Sequence, residues 1–569
     1  MATVTVTARP RGSQVASAVR SIAKPIGVTA FVGVLAYFVL EPLVRLQSKA
    51  FAHGASGYRA AFTGPNIGRL LRYTIGLALG SLAIALVLGT FLAWSASRLP
   101  PRWRLLKVVP VLPIVLPAIA SVVGWAFLLS PRPGYLNALL RRLPWWSHLD
   151  QGPINVYSMP WIVIITGFGL TAFVYLFVSA GFENISAEHL EAAHASGSSS
   201  FGVFFKVTLP LLRPTLLYGG GVALLLGLGQ FTAPLLLGRT AGIDVVTTGI
   251  YREMSQTPVQ YGTAAALGST LLIFGMVVVF LQKIMLGDQR RFVTHGSKAF
   301  RPTGRPSKLS AVWLLLYSFI ATVLPVSALV VVSLSNFWSA KINVSRFTLD
   351  NFRQIFHESG ITHAIYNSVS ISLLAVLISL PLGFVAASII LRGKRYGPLR
   401  VLLDFIVSMP LGIPAVLFGA GFLLTYTEGP LVLYGTRWVI VLVYVTLMLP
   451  FTTRMQLSAM VSLGDNYIEA ARVSGSGLIQ TNVRVVLPML RSALGGAAAL
   501  MFVLLTHEFA ASVLVRSPTT QVMGTVLFDF WNNGSYPLVA AIALVMALVT
   551  SIGVVIAVLI GGSKALSSL

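Results

Sequence analysis

Few residues in this 569-residue chain offer chemistry. His507 and Glu508 stand together inside a long apolar run, LGGAAALMFVLLTHEFAASVLV, and Gln230 occupies the matching place in GLGQFTAPLLL, 278 residues earlier. Ionisable groups at membrane depth are costly, so they mark solute paths or gates, or bond between helices to fix their positions. A second pattern occurs twice: Glu-Ala-Ala, then a glycine, then Val-x-Leu-Pro, beginning at Glu191 and again at Glu469. Other chemistry is missing. There is no cysteine, hence no disulfide framework, thiolate metal site or thiol nucleophile. No G-x(4)-G-K-[ST] loop is present to cradle a phosphate. The eight histidines include no pair four apart on one helix, and His189 and His194 are five apart, so a metal site is not expected. No nucleophile sits beside a base. These absences point to a protein that moves or binds something rather than to an enzyme.

The elements that must position these residues are apolar helices. Hydrophobic residues make up 56% of the chain and charged residues 10%, against about 25% charged in soluble domains. The mean hydropathy is +0.82. A spanning helix needs roughly 20 mostly apolar residues. That rule predicts spans near 25–45, 73–97, 107–130, 157–180, 214–238 and 263–286, then near 311–334, 366–391, 401–426, 436–457, 492–516 and 537–561. The runs do not alternate with period two, so barrel strands are excluded. The expected fold is an all-α polytopic membrane protein with about twelve spans.

A net charge of +25 does not imply nucleic acid here. The basic residues lie in short clusters between spans, as in RLPPRWRLLK (98–107) and LRGKRYGPLR (391–400), which marks cytoplasmic loops. With the N-terminus inside, inner segments hold 26 of the 41 Lys and Arg residues. Both termini are therefore expected in the cytoplasm, with an uncleaved first span. The expected organisation is a cytoplasmic segment over 1–24, a six-span unit over 25–286, a polar linker over 287–310, a second six-span unit over 311–561 and a cytoplasmic end over 562–569.

The two units are copies. EAAHASGSSSFGVFFKVTLPLLRP (191–214) and EAARVSGSGLIQTNVRVVLPMLRS (469–492) share 11 of 24 positions. LPIVLPAIASVVGWAFLL (112–129) resembles MPLGIPAVLFGAGFLL (409–424), with Pro113 and Pro117 matching Pro410 and Pro414, and Gly124 matching Gly421. The second offset is 297 rather than 278, so the first unit carries extra residues, expected in an outer loop around 131–156. Six spans is an even number, so the copies share one orientation and relate by an axis along the membrane normal. The prolines are expected to kink the third span of each unit. Each repeated loop lies between spans four and five. Its Glu-Ala-Ala run favours helix, and Gly197 or Gly475 permits a turn into a second amphipathic stretch.

The twice-repeated E-A-A-x(3)-G-x(9)-V-x-L-P resembles the EAA loop of permease subunits of ATP-binding-cassette (ABC) importers. The matching positions are Glu191, Ala192, Ala193, Gly197, Leu209 and Pro210, then Glu469, Ala470, Ala471, Gly475, Leu487 and Pro488. The resemblance implies a fused two-repeat permease with a type I importer-like fold, each loop fitting a cleft in a cytoplasmic ATPase. It further implies two copies of that ATPase, which bind the ATP and Mg that this chain does not. A periplasmic or lipid-anchored solute-binding protein, membrane lipid and a bacterial inner-membrane location are implied too. Such fused chains are similar to the iron(III) branch, with relatives for thiamine, phosphonates and polyamines. The implied cargo is iron(III), with those solutes or a phosphorylated small molecule as alternatives. Gln230, His507 and Glu508 are the expected border of the path or gate. The rival class, a six-plus-six ion-coupled transporter, would carry Gly and Asp among the basic residues between spans two and three, and 98–107 has neither.

Overall fold

The computed structural model describes residues 11–183, 185, 187–286, 307–393, 396–464 and 466–561. Most of the expected linker 287–310, the first ten residues and the end 562–569 lie outside the described residues. Among those described, eight helices are long and apolar enough to span a membrane, and four further pairs are sharply bent. Counting each pair as one gives twelve, six in each unit. No strand occurs among the described residues.

These eight are Pro25–Thr63, Ile67–Ser97, Met159–Phe182 and Tyr261–Gln282 in the first unit. In the second they are Lys308–Ser333, Ser359–Arg392, Arg437–Leu463 and Tyr536–Ile556. The first helix is longer than the expected 25–45. It turns at Ala52–Ala55, where His53, Gly54 and Ala55 are all left-handed, and then runs on to Thr63.

Spans three and five of each unit differ from the expectation of single helices over 107–130, 214–238, 401–426 and 492–516. The third spans are pairs, Pro101–Val115 with Ala118–Leu129 and Gly397–Leu411 with Ala415–Thr427, bent by 88° and 108°. This is a break rather than a kink, and it falls at the matched prolines. Pro117 and Pro414 take extended ψ values of 132° and 140° and begin the second helix of each pair. A proline lacks the N–H that would continue the ladder, and it pushes its predecessor out of helical geometry. Leu116 accordingly has ψ 125°. The fifth spans stop early, at Leu228 and Thr506, and the chain re-enters as short turns over Pro234–Gly238 and Ser512–Val515.

Within each unit the second span packs along the fourth. The first span packs on the sixth span of its own unit and also crosses to the other unit. Helix Arg11–Thr63 packs on both arms of the second unit's third span, and the helices from Lys308 to Ser333 pack on the first unit's. Glycines permit the approach. A Cβ at Gly124 would lie 2.6 Å from the Pro325 carbonyl oxygen, and one at Gly421 would lie 2.7 Å from that of Pro42. The two halves thus share one interlocked core.

The first unit's insert around 131–156 closes around Asn137, which is fully buried. Its amide donates to the carbonyls of Leu129, Ser130 and Ile154, and its Oδ1 accepts from the Ile154 N–H. The insert is thereby tied to the end of the third span. Burial pushes the neighbouring Tyr135 phenol up to about 12.

Candidate translocation gate and coupling loops

The two Glu-Ala-Ala loops fold alike. Each begins with a short helix, Ala187–Ala195 or Asn466–Val473. Leu190 and Ile468, at equivalent positions, are buried and anchor these helices to the bundle. Each helix ends at a left-handed glycine, Gly197 at φ +81° and Gly475 at φ +82°. The Ser198 N–H donates to the Ala193 carbonyl and the Ser476 N–H to that of Ala471. This is the six-to-one closure that a left-handed C-terminal glycine makes possible.

A second helix follows, with a π turn over Phe204–Thr208 or Asn482–Val486 just ahead of Pro210 or Pro488. The wider turn absorbs the missing proline donor. Leu209 and Leu487 open the next short turn. The chain then bends by 70° and 71° into span five. Glu191, Ala192, Glu469 and Ala470 are exposed, while Ala193 and Ala471 are half-buried. Large apolar side chains stand out beside them: Phe201 is 66% exposed, Val473 90% and Ile479 82%. The first loop meets the end of span two, where the Phe204 and Trp94 rings lie 5.2 Å apart. The loops therefore share a face with the basic segment that follows Ser97.

Gln230, His507 and Glu508 do not sit within continuous helices. They lie where span five ends in each unit, about 24 Å along the helix from its start at the loop face. Each makes hydrogen bonds within the protein. His507 Nε2 is 2.8 Å from Thr550 Oγ1, an interhelical hydrogen bond to span six. The Glu508 carboxylate accepts from the N–H groups of Ala511 (2.8 Å) and Ser512 (3.0 Å) and from the Ser512 hydroxyl (2.7 Å). Tyr444 Oη lies 2.9 Å from that hydroxyl. In the first unit Gln230 Oε1 accepts from the Phe231 N–H, and its carbonyl accepts from Thr247 Oγ1.

The residues beside them were not singled out by their chemistry in the sequence, yet they meet at the centre. Phe231 and Phe509 are repeat equivalents, and their rings lie 5.6 Å apart. Tyr251 and Phe528, also equivalent, lie 6.2 Å apart. Phe231 touches Tyr251 at 5.7 Å and Phe509 touches Phe528 at 5.4 Å, which closes a ring of four. Equivalent residues can touch each other only on the pseudo-twofold axis. The helices carrying Tyr251 and Phe528 are pinned identically. The Val246 N–H donates to Thr74 Oγ1 and the Met523 N–H to Ser368 Oγ. The available signal was the aromatic residue immediately after Gln230 and Glu508 in both copies.

No group of three or more His, Asp or Glu suited to a metal occurs among the described residues. Residues 85–291 and 379–562 each match the family described as "Binding-protein-dependent transport system inner membrane component". The chain is 24% identical to the ferric transport system permease protein FbpB of Actinobacillus pleuropneumoniae, across 82% of this chain and 67% of that one. It is 25% identical to the probable ABC transporter permease protein y4fN of Sinorhizobium fredii, across 87% and 88%. A putative 2-aminoethylphosphonate transport system permease protein, PhnV of Salmonella paratyphi A, is 27% identical over 44% of this chain and 92% of its own. Among solved structures, a bacterial ABC transporter involved in alginate import matches 43% of this chain and 91% of its own, at a TM-score of 0.37 and 19% identity.

Proposed function

We infer the function from family and geometry together: this chain belongs to the binding-protein-dependent transport system inner membrane components, and it is a multi-pass permease of the ABC importer class with two fused repeats. That membership answers the ion-coupled alternative. On this footing we propose that the chain forms the path for a small solute handed over by a binding protein on the outer side. Two copies of a separate ATPase, which bind ATP and Mg, drive it by docking on the loops around Glu191 and Glu469. Both termini then lie in the cytoplasm with those loops.

The observation that carries this reading is the matched pair of loops. Both expose small and apolar side chains, and both lead through a glycine-closed turn and a second short helix into span five. A force applied at Ala192 or Ala470 reaches the break near Gln230 or Glu508 through the loop's second helix and then the 16 residues of the span-five helix. We place the gate at those breaks, bordered by Gln230, His507 and Glu508. Iron(III) is the proposed cargo, supported by likeness to the ferric permease FbpB; phosphonate-type solutes are the second reading, supported by likeness to PhnV.

The test is expression with the neighbouring ATPase and binding-protein genes, followed by uptake of radioactive iron(III) and of 2-aminoethylphosphonate. ATP-dependent uptake of iron is expected. Uptake of neither solute, with no ATPase co-purifying, would falsify the assignment.

A further inference from the structure

We propose that the rings of Phe231, Tyr251, Phe509 and Phe528 are the outer seal of the path, and that Glu508 with Ser512 acts as a positioning pair that sets Phe509 into it; this rests on the permease reading. The rings lie on the axis along which any path between two equivalent halves must run. Phe231, Phe509 and Phe528 are all nearly fully buried. The closed four-ring contact leaves no room for a hydrated solute between them.

The case for Glu508 comes from comparing the two copies position by position. In the second unit both carboxylate oxygens are spent on the turn that follows Phe509, receiving the Ala511 and Ser512 N–H groups and the Ser512 hydroxyl. Ser512 in turn lies against Tyr444 Oη. In the first unit the equivalents of Glu508, Ser512 and Tyr444 are Gln230, Pro234 and Thr166. Pro234 has no N–H, no hydroxyl and a fixed φ suited to a first helical position, so the two donors that Ser512 directs at Glu508 are absent there, while Ala233, the equivalent of Ala511, keeps its N–H. A carboxylate stands where the turn directs three donors at it, and a neutral amide stands where the Ser512 pair of donors is missing. The exchange is therefore compensated, and it explains the one carboxylate in span five without a cargo contact. The Phe509 carbonyl accepts from the Val513 N–H inside the same turn, which couples the capped turn directly to the ring position.

The chain has no cysteine, so Phe231→Cys with Phe509→Cys can be probed in otherwise native protein. A short bifunctional thiosulfonate should link the pair, with yield read by mass spectrometry of the joined peptides. Glu508→Ala on that background should lower the yield about fivefold, the size expected for loss of a helix cap. Glu508→Gln together with Ser512→Pro, which installs the first unit's pair, should restore it. In the first unit Pro234→Ser alone should lower the yield, and adding Gln230→Glu should recover it; this arm stands even if Glu508→Ala fails to fold. Parent-like linking in Glu508→Ala, or no recovery in either exchanged pair, overturns the positioning role. The seal is tested with Phe231→Ala plus Phe509→Ala in phosphatidylethanolamine–phosphatidylglycerol vesicles. Iodide influx, read by quenching of a trapped dye, should rise at least severalfold over the native chain, and an unchanged rate overturns it. None of these readings needs an ATPase or a cargo, so they succeed or fail independently of the transport assay.

Discussion

Gly421 sits so close to Pro42 that an added Cβ would lie 2.7 Å from the proline carbonyl oxygen. Its equivalent, Gly124, stands in the same relation to Pro325, at 2.6 Å. Each contact joins the first span of one unit to the third span of the other. The obstacle is backbone in both cases, so it cannot rotate away.

Gly124→Ala and Gly421→Ala should each therefore destabilise the protein, by about 1–3 kcal/mol as for other overpacked sites. Thermal unfolding in detergent should show similar losses for both. Gly360→Ala is the control: it lies in the first turn of a helix with nothing within 4 Å of an added Cβ. There alanine should be neutral, or stabilising by about 0.5–1 kcal/mol.

The loop glycines lead to a different outcome. Gly197 and Gly475 have open space around an added Cβ, but their φ values disfavour any side chain. Valine should cost about 1–2 kcal/mol at each site, locally, without disturbing the core. Co-purification of the ATPase should fall in either single variant and be lost in the double one, with thermal stability of the isolated permease nearly unchanged. Full association together with full transport in the double variant would remove the coupling role. Glu191→Ala and Glu469→Ala should do less, because an exposed ion pair is typically worth only about 0–1 kcal/mol.

Two ion pairs offer a contrast. Arg516 meets Asp529 through both nitrogens, at 2.6 and 2.8 Å, and also donates to the Thr525 carbonyl. Arg353 and Asp350 are 3.1 Å apart, with side chains 73% and 69% exposed. Asp529→Ala should cost about 1 kcal/mol after allowance for partial exposure. Asp350→Ala should cost little of its pair's energy, and 1 M salt should narrow the difference. Chemical denaturation of both variants at low and high salt checks this.

Ala55 is an unusual strain site. It stands at φ +60° beside left-handed His53 and Gly54. Ala55→Gly relieves a conformation that costs an alanine about 1–2 kcal/mol but adds about 0.5–1 kcal/mol of unfolded-state entropy. A small net gain in melting temperature is expected, whereas Ala55→Val should lower it.

Much of this molecule was legible in its residues. Apolar runs long enough to span a bilayer can bury their backbone polar groups only as helices, so the helical class followed from composition. The duplication was visible at Glu191 and Glu469, and the turns at Gly197 and Gly475 lie where local chemistry places them. Pro117 and Pro414 announced a disturbance, because a missing N–H acts within one turn. Its size did not follow: whether a helix kinks or breaks by about a right angle depends on what receives its freed ends, here the first span of the opposite unit. The depth of Glu508 read as a group bordering a path or as a bond between helices. Its partners are the N–H groups of Ala511 and Ser512, and they became evident only once the chain was seen to stop being helical there. Sequence equivalence paired Phe231 with Phe509 but gave no reason for them to touch. That contact exists because two interlocked halves bring one point of each span to a common axis, and position relative to an axis is a property of packing between segments far apart in the chain.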